Sequence, residues 1–200
     1  EQPGGGGRGS TTPAPAKTGD SAPGGLVEPM AGGALLVEGL SDPEIFLGLG
    51  QEAEVNVAAP MEKRPDASAH GGLCLTVPEG PNNQELNPAN RDDGHGGQIP
   101  NGTATFNFSV QQGGEYVLWA HKSWGHSCAD SFRFALDGGP LQDFISGSNY
   151  GVWEWATLPG KRRYQLAKGA HALTIANRED GFRLDALLLT TGDHQPAPLK

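Results

Sequence analysis

The chain has 200 residues and a formal net charge of −9, which is enough length for one folded domain with a core of ordinary size. Its largest basic run is the tripeptide KRR at 161–163. A nucleic-acid-binding function is therefore excluded, because phosphates require a basic surface. No run of about 18 apolar residues occurs, so no membrane-spanning segment is predicted.

Residues 1–34 are predicted to be a flexible tether. Fifteen of the first 33 residues are Gly or Pro, and such a segment has too little apolar surface to offset the entropy of ordering it. The chain opens on Glu1 rather than Met, and a tether of this composition is typical of secreted or surface-anchored proteins. We therefore expect an extracellular location. The segment 35–50, LLVEGLSDPEIFLGLG, is expected to form either an extra edge strand or a cover on the domain.

Residues 35–194 are predicted to form an all-β domain, and 195–200 a short tail. The segment TATFNFSV alternates Phe106 and Phe108 with polar residues, which indicates a strand with one buried face. Tight-turn signals such as QQGGE and DGG separate this strand from others. Many short strands without helical crossovers favour a jelly-roll β-sandwich over a parallel sheet. The further predicted strands are YVLWAHK, SFRFALD, WEWATL, YQLA, HALTIAN and RLDALLLT.

Counting strand reversals predicts which loops lie together. If QQGGE, DGGP and AKGA are turns at one end, then KSWGHSCAD, SGSNYGV and NREDGF meet at the opposite end. This count requires that 153–167 run in one direction, passing between the sheets. Loops at one end of a rigid scaffold commonly carry function. The candidate ligand-binding residues of this end are Trp124, His126, Tyr150, Trp153, Asp180 and Arg183.

The tryptophans have different expected roles. Trp153 and Trp155 lie two positions apart, so a regular strand would place both on one face. Trp155 is followed by an apolar alternation and is expected in the core, whereas Trp153 at the loop edge suits either a core position or an exposed platform. Trp124 is flanked by Gly125 and polar residues, so an exposed ring and a buried ring are both open.

Catalysis is not predicted. His126 and Asp130 share a loop, but no second histidine stands at metal-ligand spacing. GSNYG is not a nucleophile elbow. The neighbouring carboxylates Asp92/Asp93 and Glu179/Asp180 diverge in direction, whereas glycoside hydrolysis needs two carboxyls that face each other.

The two cysteines, Cys74 and Cys128, are too far apart in sequence for a zinc knuckle or a redox CxxC motif. Two buried thiols and one disulfide in an oxidising compartment both remain open.

Several stretches across residues 50–191 together resemble the carbohydrate-binding modules of families 6 and 35, which have a galactose-binding-like β-sandwich. They are EAEVNVAAPM, SAHGGLCLTV, GGEYVLWAHK, DSFRFALDGG, VWEWATL and LAKGAHALTIANREDGFRLDALLLT. They follow the order that these families use. The resemblance implies a non-catalytic module that binds a polysaccharide or a cell-surface glycan, beside a catalytic domain or a surface protein.

The resemblance also implies a structural calcium ion. Its ligands in these families match Glu52, Glu54 and Asp185, with backbone carbonyls completing the shell. Oxygen ligands are what Ca²⁺ prefers, and the spacing of the two glutamates places them on one strand face.

For the ligand, the resemblance implies a loop aromatic ring that stacks on a sugar, matched here by Trp153. An asparagine before the last strand reads sugar hydroxyls in these families, but Arg183 stands at that position. Because a guanidinium pairs well with carboxylates, we expect an acidic, uronic-acid-containing glycan. The alternative is an adhesion or assembly module that binds a partner protein through the same loops.

Overall fold

The structure is a computed structural model that describes residues 44–50, 54–78, 102–147 and 149–199. In this part of the chain the only helical element is a short 3₁₀ turn at His70–Gly72. No helix within these ranges is long and apolar enough to cross a membrane. The twelve strands are β1 (Glu44–Gly48), β2 (Val55–Ala58), β3 (Glu62–Pro65), β4 (Leu73–Thr76), β5 (Thr103–Val110), β6 (Gly114–Ser123), β7 (Ser131–Leu136), β8 (Gln142–Ile145), β9 (Glu154–Thr157), β10 (Arg163–Leu166), β11 (Gly169–Asn177) and β12 (Arg183–Thr190).

The strands form two antiparallel sheets. The seven-stranded sheet has the order β10-β6-β12-β4-β3, with β1 added beside β12 and β9 beside β6, and the five-stranded sheet has the order β2-β5-β11-β7-β8. The predicted all-β sandwich is confirmed. Part of the segment 35–50 is the strand β1, which pairs with β12 along its whole length, while residues 35–43 lie outside the described ranges.

The alternation in the sequence explains the core between the sheets. In β5 the side chains of Ala104, Phe106, Phe108 and Val110 are all buried, because period-2 spacing places them on the same face. They belong to one apolar cluster with residues of the other sheet, among them Leu118 of β6. Burial of these apolar surfaces provides the main favourable free energy of folding.

The predicted direction of residues 153–167 is confirmed. Both β9 and β10 pair antiparallel with β6, so the chain runs the same way through both strands. It stays in one sheet, however, and does not pass between sheets as expected. The three loops 124–130, 146–153 and 178–182 therefore meet at one end of the sandwich, which we call the upper end. A hydrogen bond of 2.7 Å from the Gly151 amide to the Trp124 carbonyl joins two of them.

A second apolar cluster lies on the outer face of the seven-stranded sheet. It contains Val117, Trp119, Trp155, Ala186 and Leu188, with Phe46 and Leu199 packed against it. Trp155 is buried as predicted, at 7% exposure, but in this outer cluster and not between the sheets. The segment 195–199 lies over it, since the Trp155 indole donates a hydrogen bond of 2.9 Å to the Ala197 carbonyl.

Both cysteines are free thiols, which settles the alternatives left open by the sequence against a disulfide. Cys74 on β4 is buried and Cys128 in the loop 124–130 is exposed. Burial raises the pKa of the Cys74 thiol to about 11, so this thiol is unreactive at neutral pH.

Candidate functional site

The candidate site is a pocket of about 570 Å³ on the outer face of the seven-stranded sheet. Its lining comes from four places: residues 67–70 before β4, His121 on β6, residues 153–155 at the start of β9, and residues 195–199. Its volume falls in the range of small-ligand sites, about 300–1,000 Å³. Strand pairing explains how distant residues meet, because β6 and β9 are neighbours with His121 opposite Trp155.

Trp153 is half-buried in the lining and held from several sides. Its ring stacks on His121, with centroids 5.5 Å apart and planes 14° apart. Its indole nitrogen donates a hydrogen bond of 3.0 Å to Ser68 Oγ. The Arg183 guanidinium carbon lies 5.5 Å from the ring centroid, within cation–π distance. The ring is therefore fixed in orientation before any ligand arrives.

The His121 ring is held in place by the buried carboxylate of Asp185. Its Nδ1 lies 2.7 Å from Asp185 Oδ1, and both side chains are almost fully buried. This contact fixes the orientation of the imidazole ring through Nδ1. Nε2 is then the ring nitrogen left for a ligand, since His121 lines the pocket.

Arg183 lies beside the pocket, and its guanidinium group already donates hydrogen bonds to protein side chains. Its two terminal nitrogens donate hydrogen bonds of 2.9 Å to Asp66 Oδ2 and 2.6 Å to Ser123 Oγ. Hydrogen bonds from Ser68, and then from Arg183, lower the pKa of Asp66 despite the opposing effect of burial. Arg183 is absent from the pocket lining. Its structural role is to hold residues 66–72 and Trp153 in place.

Trp124 is fully buried, which decides against the exposed ring and does not fit the predicted contact with a ligand. Its indole nitrogen donates to the Ser146 carbonyl at 2.7 Å, and its ring packs near Phe132 with centroids 6.0 Å apart. A bridge to Tyr150 continues the pairing beyond β6. Ser146 and Tyr150 thus help to cover the Trp124 ring, although the sequence neighbours of Trp124 are polar.

The other predicted ligand residues lie at the upper end, outside the pocket lining. Tyr150 is 41% exposed, and its hydroxyl lies 3.4 Å from Asp130 Oδ2. His126 Nδ1 accepts a hydrogen bond of 3.2 Å from the Cys128 amide. Asp180 is 2% exposed, which does not fit the predicted contact with a ligand. Of the six predicted residues, only Trp153 lines the pocket.

A carboxyl pair that the sequence reasoning missed also lies at the upper end. The Asp130 amide and the Ser131 hydroxyl donate to Glu179 Oε2 at 2.9 and 2.6 Å. Burial, followed by the negative charge of Glu179, raises the pKa of Asp130. The two residues are 49 positions apart, so only the meeting of two loops could reveal them.

The predicted calcium site stays a prediction, because one of its three ligands lies outside the described part of the chain. Asp185 Oδ2 accepts a hydrogen bond of 2.7 Å from the His70 amide, and its Oδ1 faces His121, so both oxygens already face protein groups. Glu54 is exposed and Glu52 lies outside the described ranges. Across 44–50, 54–78, 102–147 and 149–199, no group of three or more His, Cys, Asp or Glu side chains could hold a metal ion.

No protein-family model matches the chain, and no curated protein sequence matches it. Solved structures do resemble it. A family 35 carbohydrate-binding module from Clostridium thermocellum aligns with a TM-score of 0.48 and 18% identity, over 73% of this chain and 96% of that one. The module of Cellvibrio japonicus Abf62 aligns at 0.49 and 14%, over 77% and 96%.

An exo-β-1,3-galactanase from Phanerochaete chrysosporium aligns with a TM-score of 0.49 and 16% identity, over 73% of this chain. The chain spans only 29% of that enzyme. A likeness at these identities concerns the fold and does not identify a ligand.

Proposed function

We propose that the chain is a non-catalytic carbohydrate-binding module whose glycan lies in the pocket against Trp153. The observation that supports this is the half-buried indole of Trp153, which is held in one orientation in the lining of a pocket that also contains His121. Aromatic rings contribute apolar contact and dispersion to the C–H faces of sugar rings. Because Ser68, His121 and Arg183 already hold the ring, little side-chain entropy is lost on binding.

His121 supplies the polar recognition in this proposal. Its Nε2 forms a hydrogen bond with a sugar hydroxyl, which can donate or accept, while Asp185 keeps the ring in one orientation. Binding modules of this kind need few but well-placed polar groups, since each fixes the orientation of a ligand held mainly by apolar contact. Ser68 Oγ lies in the same lining, where it accepts from the Trp153 indole and donates to Asp66, so it offers a ligand only its remaining acceptor position.

A neutral glycan suits this pocket better than the acidic one expected from Arg183. The lining contains Glu154 and no Lys or Arg, and the guanidinium of Arg183 is already neutralised by Asp66. A uronate would have to displace that carboxylate, at a cost in desolvation and lost hydrogen bonds. The protein as a whole, with its net charge of −9, also repels polyanions.

An extracellular location follows as part of the proposal, because polysaccharides and cell-surface glycans are found outside the cell. The Gly- and Pro-rich segment at residues 1–34 would then link the module to a catalytic domain or a surface protein.

Affinity electrophoresis tests the proposed function in gels containing xylan, mannan or polygalacturonate. We expect retardation of the wild type by a neutral glycan, and a loss of affinity between about five-fold and a hundred-fold in Trp153→Ala. Tyr150→Ala is the matched control, since Tyr150 is an exposed aromatic residue nearby but outside the pocket lining. It should migrate like the wild type.

Arg183→Ala separates the two roles of the arginine. If it only holds residues 66–72 and Trp153, the variant loses affinity for neutral and acidic glycans alike. A selective loss for polygalacturonate would restore the acidic-glycan prediction. Migration of Trp153→Ala like the wild type on every retarding glycan would contradict the pocket, and the absence of retardation on any glycan would favour the adhesion or assembly module.

A further inference from the structure

The segment after β12 is held against the outer face of the seven-stranded sheet by contacts along its length. Arg163 donates to the Thr191 carbonyl at 3.1 Å and to Asp193 Oδ1 at 2.6 Å. His194 Nε2 lies 2.8 Å from Glu44 Oε1 on β1. Further along, the Ala197 carbonyl accepts from Trp155, and Leu199 packs on the outer cluster. The segment therefore has one position and does not trail into solvent.

This segment makes the difference between an open sheet face and a pocket. The strands themselves supply only the floor, through His121 and Trp155. The raised parts of the lining within the described ranges are residues 67–70 and residues 195–199. Two prolines, Pro196 and Pro198, lie in the second of these, and proline restricts the backbone. Its partly buried position and its bond to Trp155 make it a stable wall.

A wall of this kind limits how a polymer can lie in the site. A glycan chain that stacks on Trp153 and runs over Trp155 meets residues 195–199. Passing through would require displacing Leu199 from the outer cluster and breaking the bond to Ala197, which exposes apolar surface. A chain that ends in the pocket has no such obstacle.

We propose that residues 195–199 form a specificity wall that makes the pocket select the end of a glycan chain, or a short oligosaccharide, over the interior of a polysaccharide. This inference rests on the proposed function, since it assigns the type of ligand for the same pocket. The bound terminal sugar lies between Trp153 and the wall, with His121 beneath it.

The test compares binding to a polysaccharide before and after it is cut. Mannan or xylan, whichever retards the wild type, is partially hydrolysed at constant mass, and binding capacity per gram is measured by isothermal titration calorimetry. For the wild type, capacity should rise by the same factor as the number of chain ends. The trisaccharide of the same sugar should bind as tightly as a chain end of the polymer.

The matched variant lacks residues 195–199. Its capacity should be high before hydrolysis and should not follow the number of chain ends. Because the deletion exposes Trp155, thermal unfolding establishes whether the variant is folded. The double variant Pro196→Gly/Pro198→Gly, which keeps the length and the Leu199 contact, should show an intermediate dependence on chain ends.

The outcomes separate the two proposals. No binding of any glycan by the wild type overturns the proposed function. Binding by the wild type that does not change with the number of chain ends overturns the specificity wall alone. End-dependent binding that is unchanged in a folded deletion variant also overturns the wall, because some other part of the lining would then select the chain end.

Discussion

Asp185 joins two strands and a turn through its two carboxylate oxygens. The resemblance to carbohydrate-binding modules implied a calcium ligand. In the structure its two oxygens face the His121 ring and the His70 amide, each at 2.7 Å. The carboxylate therefore connects β12 to β6 and to the 3₁₀ turn, and the calcium ion stays a prediction.

Asp185→Asn should lower the free energy of unfolding by about 1–3 kcal/mol, because an amide cannot accept from both donors and leaves a buried group unpaired. The loss should be the same in EDTA and in excess Ca²⁺, as measured by thermal unfolding. If Asp185 bound calcium, the variant would differ from the wild type mainly in Ca²⁺, since a ligand that binds only the folded state stabilises it.

Glu54→Gln is the control for this comparison. Its exposed side chain predicts little change in stability. A destabilisation that appears only in Ca²⁺ would instead show a calcium ion held by the glutamates, without Asp185.

His171 and Asp137 form a second residue-scale contact, at the turn between β7 and β8, and this pair titrates. His171 Nδ1 lies 2.7 Å from Asp137 Oδ2. Burial alone would lower the pKa of His171, but the hydrogen bonds to Asp137 and to the Ala167 carbonyl raise it. Burial likewise opposes ionisation of Asp137, but the hydrogen bonds from the Ala172 amide and His171 lower its pKa.

The pair should therefore stabilise the fold mainly at mildly acidic pH. The raised histidine pKa contributes fully below the unfolded value of about 6.5 and is lost as pH rises through the folded pKa. The lowered aspartate pKa contributes above its unfolded value of about 3.9 and is lost as pH falls through the folded pKa. Asp137→Asn should thus destabilise more at about pH 5.5 than at about pH 8.

Asp143→Asn is the matched control for the pH measurement by urea unfolding. Asp143 has similar exposure and pairs with Arg133 at 3.0 Å, and an arginine stays charged throughout this range. Its loss should be equal at both pH values. Equal losses for Asp137→Asn as well would contradict the assignment of a titrating pair.

At the scale of elements, β9 and the segment 195–199 act as one unit through Trp155. This indole packs in the outer cluster and bonds to Ala197, whereas Trp153, two residues earlier, bonds to Ser68. Trp155→Ala should cost about 3–5 kcal/mol of unfolding free energy, as is typical for removing a buried tryptophan. Trp153→Ala should cost less because the ring is half-exposed.

Urea unfolding of the two variants checks this difference, with Tyr150→Ala as an exposed reference. A loss for Trp155→Ala no greater than for Tyr150→Ala would mean that residues 195–199 do not pack on the sheet. That result would also remove the basis for the specificity wall.

The local sequence pattern predicted the strands well. It did not predict which strands are covered on both of their faces. The alternation of Phe106 and Phe108 indicates β5 because one side of that strand is buried and the other is not. In β6 every residue from Tyr116 to Ser123 is buried, because the core covers one side and the outer cluster covers part of the other. His121 could not be chosen as a site residue, since its neighbours in space come from 67–70 and 153–155. The burial of Trp124 could not be decided for the same reason, because residues distant in sequence cover its ring.

Two features of the candidate site were predicted from the sequence: the residue Trp153 and the grouping of the upper loops. Trp153 was matched to a sugar-stacking loop residue through the resemblance to carbohydrate-binding modules, while its position at a loop edge left a core role and an exposed role both open. The strand-reversal count also placed the three upper loops together. The pocket, however, lies on a sheet face beside those loops, and its walls depend on hydrogen bonds between residues as far apart as Trp153 and Ser68, 85 positions.

At the scale of the whole molecule, the two sheets have different roles. The five-stranded sheet contributes one face to the inner core. The seven-stranded sheet contributes its inner face to the same core and carries the pocket and the outer cluster on its other face. The core between the sheets is thus separate from the pocket, whose lining comes from segments on the outer face of the larger sheet.

The position of β12 in the sheet has a consequence for synthesis of the chain on the ribosome. Among the described strands β12 emerges last, and it lies between β6 on one side and β4 and β1 on the other. Until residues 183–190 leave the exit tunnel, those three strands present unpaired edges, which are templates for aggregation. The nascent domain therefore cannot complete its larger sheet before this strand has emerged, and the three edges need protection until then.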